Sequence, residues 1–339
     1  MQNRLQNNSV PKNSTWRNEI AKSNQLKMKI VRGIENFCYD YNTCITIGTF
    51  DGLHIGHQQI LSTLTNIAKN NNLKSVAITF DPHPRQILMP DKKVNFVLTQ
   101  HEKIKAFEKT GIDFLIIHPF SKEFASHHAR EFLKDILCGK LNMKHLIKGF
   151  NNHFGKDRLS DISVIKQYGK EFGFDVTEVN KRTLNGISAS STVVREMILS
   201  GDVEKAAMIL NYKFMFTGIV VHGKHLGSQI GFPTANISIE DNNKIIPKAG
   251  VYAATTTING KQYDVMLNIG SNPTVNADNT KTFLEAHIVD FSGDIYGKEI
   301  TLELYKRIRD EHKFASIDEL KQQLTKDKLM LKTILHQTA

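Results

Sequence analysis

Two histidines three positions apart, His54 and His57, are the residues whose type and spacing first suggest chemistry. Side chains three apart share one face of a helical turn, so both imidazoles can point to the same place. Imidazole nitrogens donate hydrogen bonds to phosphate oxygens and stabilise the charge that develops during displacement at phosphorus. Two other interpretations stand beside this one. The pair also fits solvated histidines at a helix start, or half of a zinc site that would need further Cys or His ligands.

The residues around this pair predict the elements that position it. Cys44 to Ile47 is a short apolar, β-branched run typical of a buried strand, and Gly48 and Gly52 indicate a sharp turn after it. From Ile55 onward, apolar residues recur at the spacing of an amphipathic helix. This order places both histidines at a helix N-terminus, where free N–H groups and the helix dipole attract phosphate.

The first half of the chain repeats this alternation, which predicts a doubly wound parallel sheet. Strands are expected at 44–49, 74–80, 113–117, 144–148 and 175–179, with helices near 56–69, 100–109, 125–137 and 161–172. Ligands of such sheets bind beyond the carboxyl ends of the strands. Three further stretches should reach that edge: the proline-containing loop 79–84, the glycine-bounded loop 148–155, and the hydroxyl-rich segment 187–195. Taken alone, the first also fits a simple turn and the third an N-cap.

Composition limits the classes of protein to which the chain can belong. Its 339 residues predict two domains, and the absence of a run of about 18 apolar residues predicts no membrane span. Three scattered cysteines without a Cys-x-x-Cys pair predict a cytoplasmic protein that has no structural metal. The net charge of +10 fits an enzyme of anionic nucleotides as well as a nucleic-acid-binding protein. The Lys and Arg residues are spread along the sequence and form no dense basic block that would favour nucleic-acid binding.

From residue 214 onward the pattern changes to strands separated by turns, which predicts a small antiparallel barrel. The strands are expected at 215–222, 251–258, 262–269, 282–290 and 299–305. Asn259-Gly260 predicts a hairpin turn, and Ser316 with Glu319 predicts the start of a final helix that runs towards Leu335.

A glycine-rich segment follows the first strand of this half. Three glycines, Gly223, Gly227 and Gly231, can form a flexible backbone arch. Thr234 and Asn236 would then present neutral oxygens to Mg²⁺ or phosphate from one face of an extended chain. The fragment alone also fits an ordinary Gly/Pro turn.

Taken together, the motifs of the first half resemble the adenylyltransferase module of the bacterial bifunctional riboflavin kinases/FAD synthetases. They are Gly-Thr-Phe-Asp-Gly-Leu-His-Ile-Gly-His (48–57), Phe-Asp-Pro-His-Pro (80–84), Gly-Phe-Asn-Asn-His-Phe-Gly (149–155) and Ser-Ser-Thr-Val-Val-Arg (190–195). The third carries Asn151 where many members have Asp. The resemblance implies that His54 and His57 stabilise the reacting phosphates. It assigns nucleotide or phosphate contacts to Gly48, Asp51, Gly56, Asn151, Arg158, Ser190, Ser191, Thr192 and Arg195.

The second half resembles riboflavin kinase over about residues 214–330. The similarity lies in Gly-Phe-Pro-Thr-Ala-Asn (231–236), Gly-Val-Tyr (250–252), Asn-Ile-Gly (268–270) and Glu-Ala-His (285–287). It implies that Glu285 is the general base for the riboflavin hydroxyl and that Thr234 and Asn236 hold Mg²⁺. It assigns phosphate binding to Gly223, Gly227, Gly231 and Pro233, and flavin binding to Arg309.

The whole resemblance implies a bifunctional enzyme that uses ATP and Mg²⁺, converting riboflavin to FMN in the barrel and FMN to FAD in the sheet domain. The expected fold is an α/β doubly wound, Rossmann-like nucleotidyltransferase domain followed by a small antiparallel β-barrel with a C-terminal helix. We expect a disordered tail or an over-long start at 1–27, an adenylyltransferase domain at 28–200, a connector at 201–213 and a kinase domain at 214–335. The alternative is a nucleotidyltransferase of single activity whose barrel serves only in binding.

Overall fold

The N-terminal half is built on a six-stranded parallel sheet with the order β1-β4-β3-β2-β5-β6. The computed structural model describes residues 28–222, 230–273 and 280–336. The strands are β1 (Lys29–Arg32), β2 (Thr43–Ile47), β3 (Lys74–Phe80), β4 (Phe114–His118), β5 (Met143–Gly149) and β6 (Asp175–Val179). Ile45 and Ile78 belong to one hydrophobic core, while their neighbours Cys44 and Ala77 belong to another. Both faces of the sheet are therefore covered, which confirms the predicted doubly wound arrangement.

Helices connect these strands and pack on the two faces. They are α1 (Ile55–Asn70), α2 (Pro84–Leu88), α3 (Gln100–Glu108), α4 (Lys122–Ala125), α5 (Ala129–Glu131, continued by a π-helical stretch, Phe132–Lys140), α6 (Ile162–Phe172), α7 (Ser191–Ser200) and α8 (Val203–Leu210). A short hairpin, β7 (Thr183–Leu184) and β8 (Ile187–Ser188), precedes α7. The predicted helix at 125–137 begins at Ala129 instead, because Ser126 is the C-cap of α4 and His128 is the N-cap of α5.

The C-terminal half is a closed antiparallel barrel with the strand order β10-β13-β12-β11-β14-β9. The strands are β9 (Met215–Val221), β10 (Ala235–Ser238), β11 (Gly250–Ile258), β12 (Lys261–Pro273), β13 (Thr280–Ile288) and β14 (Glu299–Arg309). Asn259 and Gly260 have φ values of 50° and 78°, which confirms the predicted hairpin turn between β11 and β12. The final helix, α9 (Ile317–His336), packs against β11, β12 and β14.

The sequence prediction missed the short hairpin of β7 and β8 and, in the two main sheets, one strand each. β1 is a four-residue strand at the sheet edge that pairs with β4. β10 lies inside the Gly/Pro-containing segment and closes the barrel by pairing with both β9 and β13. Both strands are short and are fixed by pairing with distant residues, so a local pattern does not reveal them. The predicted tail at 1–27, together with Gly223 and Gly227, lies outside the described residues. Within the described ranges, no helix has the length and apolar character to cross a bilayer.

One of the hydrophobic clusters spans both halves. A single hydrophobic cluster contains the barrel residues Phe216 and Tyr252, the residues Val194 and Ile209 of α7 and α8, and Val97 of the segment before α3. Helices α7 and α8 therefore pack against the barrel, and the barrel core continues into the N-terminal half.

A buried ion pair, which we call the interdomain latch, joins Glu102 of α3 to Lys244 of the barrel. The Nζ of Lys244 donates to Glu102 Oε2 at 2.6 Å, to the Val97 carbonyl at 2.8 Å and to the Met215 carbonyl at 2.7 Å. Glu102 Oε1 accepts a hydrogen bond from the backbone N–H of Thr217 at 2.8 Å. Both charges are thus hydrogen-bonded across the boundary between the halves, and removal of either partner would leave the other charge buried and uncompensated.

Candidate active sites

The turn between β2 and α1 places His54 and His57 at the N-terminus of α1. His54 is the N-cap, and its Nδ1 accepts a hydrogen bond from the backbone N–H of His57 at 3.4 Å. The two rings stack with their centroids 3.8 Å apart. Because Nδ1 accepts, the proton of the neutral His54 ring lies on Nε2, which keeps a donor for a ligand.

Glycines give this turn its shape. Gly52 has a φ of +81°, and a Cβ at this position would lie 3.1 Å from Val97 Cγ1. A Cβ on Gly56 would lie 3.1 Å from Cε1 of His54, so the missing side chain leaves room for the histidine ring. A Cβ on Gly48 would lie 3.2 Å from the ring of Phe50. The predicted sharp turn is confirmed at Gly52, and all three glycines bring neighbouring groups close to the backbone.

Asp51 and Arg195, both assigned to the nucleotide by resemblance, bind each other at 3.1 Å. The buried carboxylate of Asp51 also accepts from the backbone N–H groups of Val97 and Leu98, at 2.9 and 3.3 Å. Ser191 Oγ donates to the Asp51 carbonyl at 2.8 Å. This network ties the first motif to the last one. A carboxylate repels phosphate, so in this arrangement Asp51 orients Arg195 and the turn.

The other hydroxyls of the last motif have different surroundings. Ser190 is the N-cap of α7, and its Oγ accepts from the backbone N–H of Val193 at 3.3 Å. Thr192 is exposed on the first turn of this helix. The Nε of Arg195 is buried and has no hydrogen-bond partner among the residues that the structure describes. The guanidinium therefore keeps donor capacity beyond its pair with Asp51.

The loop after β5 approaches the first motif through Asn152. Its Nδ2 donates to the carbonyl of Ile47, the last residue of β2, at 2.7 Å. Asn151 and Arg158, the two residues of this region predicted to bind nucleotide, are both exposed. The bond from Asn152 spans β2 and β5, between which the winding of the sheet reverses and ligands of such folds bind. The sequence offers no signal that separates the two adjacent asparagines.

Five basic side chains gather at the carboxyl edge of the sheet, and we call them the basic cluster: His54, His57, His83, Lys103 and Arg195. The pKa of His54 is lowered to about 4, mainly by burial; a backbone hydrogen bond raises it and the positive charge of Arg195 lowers it. Burial, with the charges of Lys103, Arg195 and Arg85, lowers the pKa of His83 to about 4. Burial, His54 and Lys103 lower the pKa of His57 well below its ordinary value. The three imidazoles are therefore neutral near pH 7. The Nδ1 atoms of His54 and His83 accept backbone hydrogen bonds, whereas the buried Nδ1 of His57 has no partner among the residues that the structure describes.

The sequence interpretation missed two members of this cluster. His83 stands in the Phe-Asp-Pro-His-Pro motif and is the N-cap of α2, where its Nδ1 accepts from the Arg85 backbone N–H at 3.1 Å. Lys103 follows the capping-box Glu102 and is buried with Phe107, four residues further along α3. The sequence gives only a weak indication of this burial, since Lys103 lies four residues before the phenylalanine on the same helix and such residues share a face.

The barrel holds a separate cavity of about 460 Å³. Glu285 on β13 pairs in register with Asn236 on β10 and with Asn268 on β12, so the three side chains share a face of the barrel wall. Thr234 also lines the cavity, and the rest of its surface comes mainly from apolar residues: Ile230, Phe232, Val251, Met266, Phe314, Ile317, Leu320 and Leu324. A mostly apolar cavity with a few convergent polar groups suits a flat organic ring that carries a hydroxyl chain.

Arg309 lines this cavity and belongs to β14, one of the strands on which α9 packs. Its guanidinium binds the buried carboxylate of Asp327 on α9, with N–O distances of 2.9 to 3.1 Å, and Gln323 Nε2 donates to the same carboxylate at 2.8 Å. Arg309 therefore attaches α9 to the barrel, in addition to the flavin binding that the sequence predicts for it. The ring of Phe314 lies 5.7 Å from the guanidinium.

A smaller cavity, of about 140 Å³, lies beside the first and shares Thr234 with it. Pro233 lines it, and the Pro233 carbonyl accepts a hydrogen bond from His287 Nδ1 at 2.8 Å. Gly231 begins the segment with a φ of +85°, a conformation that glycine adopts readily. His287 therefore fixes the run that carries Thr234 relative to the strand that carries Glu285.

The oxygen donors in the barrel fit Mg²⁺ bound together with a nucleotide. Mg²⁺ usually takes one or two protein ligands and completes its shell with phosphate oxygens and water. The oxygens of Thr234 and Asn236 supply such a set beside Glu285. Among the described residues, no group of three or more His, Cys, Asp or Glu side chains is arranged to hold a metal ion.

Comparison with known proteins covers both halves. The family model described as FAD synthetase matches residues 38–193, and the model described as riboflavin kinase matches residues 210–335. The chain belongs to the bifunctional riboflavin kinase/FMN adenylyltransferase family. The relative from Buchnera aphidicola subsp. Schizaphis graminum is 37% identical over 88% of this chain and 96% of its own length. The relative from Escherichia coli K12 is 35% identical over 89% and 96%.

Similarity also extends to a solved structure. A protein from Streptococcus pneumoniae described as a macrolide-efflux protein superposes with a TM-score of 0.83 at 31% identity, over 90% of this chain and 98% of that one. Both domains of the fold thus occur together in another protein.

Proposed function

We propose that this chain phosphorylates riboflavin to FMN in its barrel and then adenylylates FMN to FAD in its N-terminal half, with ATP as the donor in both steps. The observation that supports two activities is that each half has its own site. The basic cluster lies at the sheet edge, and the Glu285 cavity lies in the barrel wall. The alternative of a barrel used only for binding leaves the convergence of Glu285 with Thr234 and Asn236 without a purpose.

In the barrel, the primary hydroxyl of riboflavin attacks the γ-phosphorus of ATP. Glu285 takes the hydroxyl proton, since a carboxylate within hydrogen-bond reach is a suitable general base. Thr234 and Asn236 would hold Mg²⁺, which would supply positive charge to the phosphates. The apolar cavity holds the flavin ring and positions its side chain towards Glu285.

In the N-terminal half, an oxygen of the FMN phosphate attacks the α-phosphorus of ATP, and pyrophosphate leaves. No proton transfer is needed, so catalysis rests on positioning and on charge stabilisation. His54 and His57 donate to the reacting phosphates from the N-terminus of α1. Ser190 and Arg195 hold the leaving phosphates, and Asp51 keeps Arg195 in place.

We place this activity in the cytoplasm, where ATP is available. The three cysteines, Cys38, Cys44 and Cys138, are free thiols, which fits a reducing compartment. No observation favours nucleic acid as a partner.

The test is an incubation of the purified chain with riboflavin, ATP and Mg²⁺, with the flavins separated by chromatography over time. We expect FMN to appear first and FAD to follow, and FAD to form directly when FMN is supplied. Accumulation of FMN without FAD would leave only the kinase. Conversion of FMN to FAD without use of riboflavin would support the barrel as a binding domain.

A further inference from the structure

Lys103 is a buried lysine: burial lowers its pKa, while the charges of Asp51 and Asp81 raise it. Its side chain is only 6% exposed. In the described part of the chain, its ammonium makes no hydrogen bond or ion pair, whereas the other buried lysines, Lys148 and Lys244, each bind a glutamate at 2.7 and 2.6 Å. An ammonium held out of water is costly unless an anion or acceptor meets it.

The titratable groups around the Lys103 ammonium follow the carboxyl ends of two neighbouring strands, β2 and β3. The charge of Lys103 lowers the pKa of His57, at the start of α1, and of His83, the N-cap of α2. The acidic groups that face it are Asp51, after β2, and Asp81, after β3. The ammonium therefore lies at the carboxyl edge of β2 and β3, where the sheet binds its ligand.

Neither acid is arranged to serve as its partner. The Asp51 carboxylate already accepts from Arg195, Val97 and Leu98. Asp81 is exposed to solvent. A ligand that brings negative charge to this edge would meet a lysine that is already largely buried before the ligand binds.

We propose that Lys103 contacts the reacting phosphates of adenylyl transfer and neutralises the repulsion between the FMN phosphate and the α-phosphate of ATP. In this step an oxygen of the FMN phosphate bonds to the α-phosphorus. The bond from that phosphorus to the bridging oxygen breaks, and its electron pair leaves with pyrophosphate. Two anions must approach within bonding distance, and a fixed cation lowers the barrier without accepting or giving a proton. The inference rests on the proposed function of this site.

The experiment compares Lys103→Met and Lys103→Arg in the full chain, each assayed separately for FMN formation from riboflavin and for FAD formation from FMN. Removal of a preorganised charge-stabilising group costs on the order of 10²–10³ in kcat. We expect this loss in FAD formation for Lys103→Met, unchanged FMN formation, and substantial recovery of FAD formation in Lys103→Arg. Lys105→Met is the matched control, because Lys105 is an exposed lysine on the same helix. Both of its activities should stay at the wild-type level.

The two reactions on one chain keep the outcomes distinct. FAD formation by Lys103→Met at the wild-type rate would overturn the proposal. So would parallel loss of both activities with a lower Tm, because that would assign Lys103 a structural role. Loss of FAD formation in Lys103→Met without any recovery in Lys103→Arg would argue against a role based on charge. If the wild-type chain itself forms no FAD from FMN and ATP, the proposed function of the site fails instead.

Discussion

The two candidate sites of this protein differ in the charged and polar groups that they bring together. The basic cluster brings cations and neutral imidazoles from several elements to one sheet edge, and two of the imidazoles, His57 and His83, contact the rings of Phe50 and Phe96. The barrel site is a cavity of mostly apolar wall whose polar groups include two carboxylates, Glu285 and Glu311, and the neutral oxygens of Thr234, Asn236 and Asn268. The difference follows from the nucleophile in each reaction. An alcohol must lose a proton and needs a base, whereas a phosphate is already anionic and needs its repulsion removed.

The strongest test of this contrast removes Glu285, the proposed base. Glu285→Gln keeps the size of the side chain but cannot take a proton, so FMN formation should fall by about 10²–10⁴. Conversion of supplied FMN to FAD should stay near normal, because Glu285 belongs to the barrel alone. Glu299→Gln, an exposed glutamate on β14, is the control and should change neither rate. Normal phosphorylation of riboflavin by Glu285→Gln would remove this residue from the role of base.

The reciprocal test removes the donors at the start of α1. His57→Ala and His54→Ala should lower FAD formation by about 10²–10³ and spare the kinase, so that FMN accumulates from riboflavin. Alanine is at least as favourable in a helix as histidine. His101→Ala, on the exposed face of α3, serves as the control. Unchanged FAD output, or loss of both activities together with thermal stability, would show that these histidines act only in the fold.

A third test asks whether the two sites belong to one folding unit. Lys244→Met should lower the free energy of unfolding by about 3–5 kcal/mol, because it leaves Glu102 charged in a buried position. The double variant Lys244→Met/Glu102→Gln should recover part of this loss. Breaking the exposed pair of Lys105 and Glu299 by Lys105→Met should cost at most about 1 kcal/mol. Denaturant unfolding measures all three. Equal effects of Lys244→Met and Lys105→Met would contradict the latch.

The smallest expected effect is the dependence of the free energy of unfolding on pH. Because the folded-state pKa values of His54 and His83 are about 4, the unfolded chain binds more protons between about pH 6.5 and pH 4, and stability should fall as pH falls through this window. Each histidine contributes up to about 1.4 kcal/mol per pH unit. His54→Asn and His83→Asn keep an N-cap acceptor and should each flatten the slope. An unaltered slope in both variants would contradict the buried, neutral state.

The sequence predicts most of the framework, because local patterns encode it. The Cys44–Ile47 run, the glycine turn and the capping box of Thr99 and Glu102 all occur as predicted, with cap N–O distances of 3.2 and 2.9 Å. What local pattern does not encode is which charged residues the tertiary structure buries. Glu102 is predictable as a cap, but its pair with Lys244 joins residues 142 positions apart.

The candidate sites show the same division. The motifs bring His54, His57, Arg195, Glu285, Thr234 and Asn236 to attention, and the structure assembles them at two places. Lys103 and Asn152 were not predicted, since a lysine after a capping glutamate usually lies on the surface and two neighbouring asparagines have the same local pattern. Their environments come from the turn after β2 and the end of that strand, which are far away in the sequence.

The interdomain latch also affects whether the two halves could exist as separate proteins. Lys244 belongs to the barrel, yet two of its three acceptors, Glu102 and the Val97 carbonyl, come from the other half. A kinase fragment that starts at Phe214 would keep only the Met215 carbonyl, and an adenylyltransferase fragment would keep Glu102 without its counter-charge. If the two halves were encoded by separate genes, these positions would need compensating substitutions. The buried contacts between the halves therefore favour a single chain, in addition to the sequence of the two reactions.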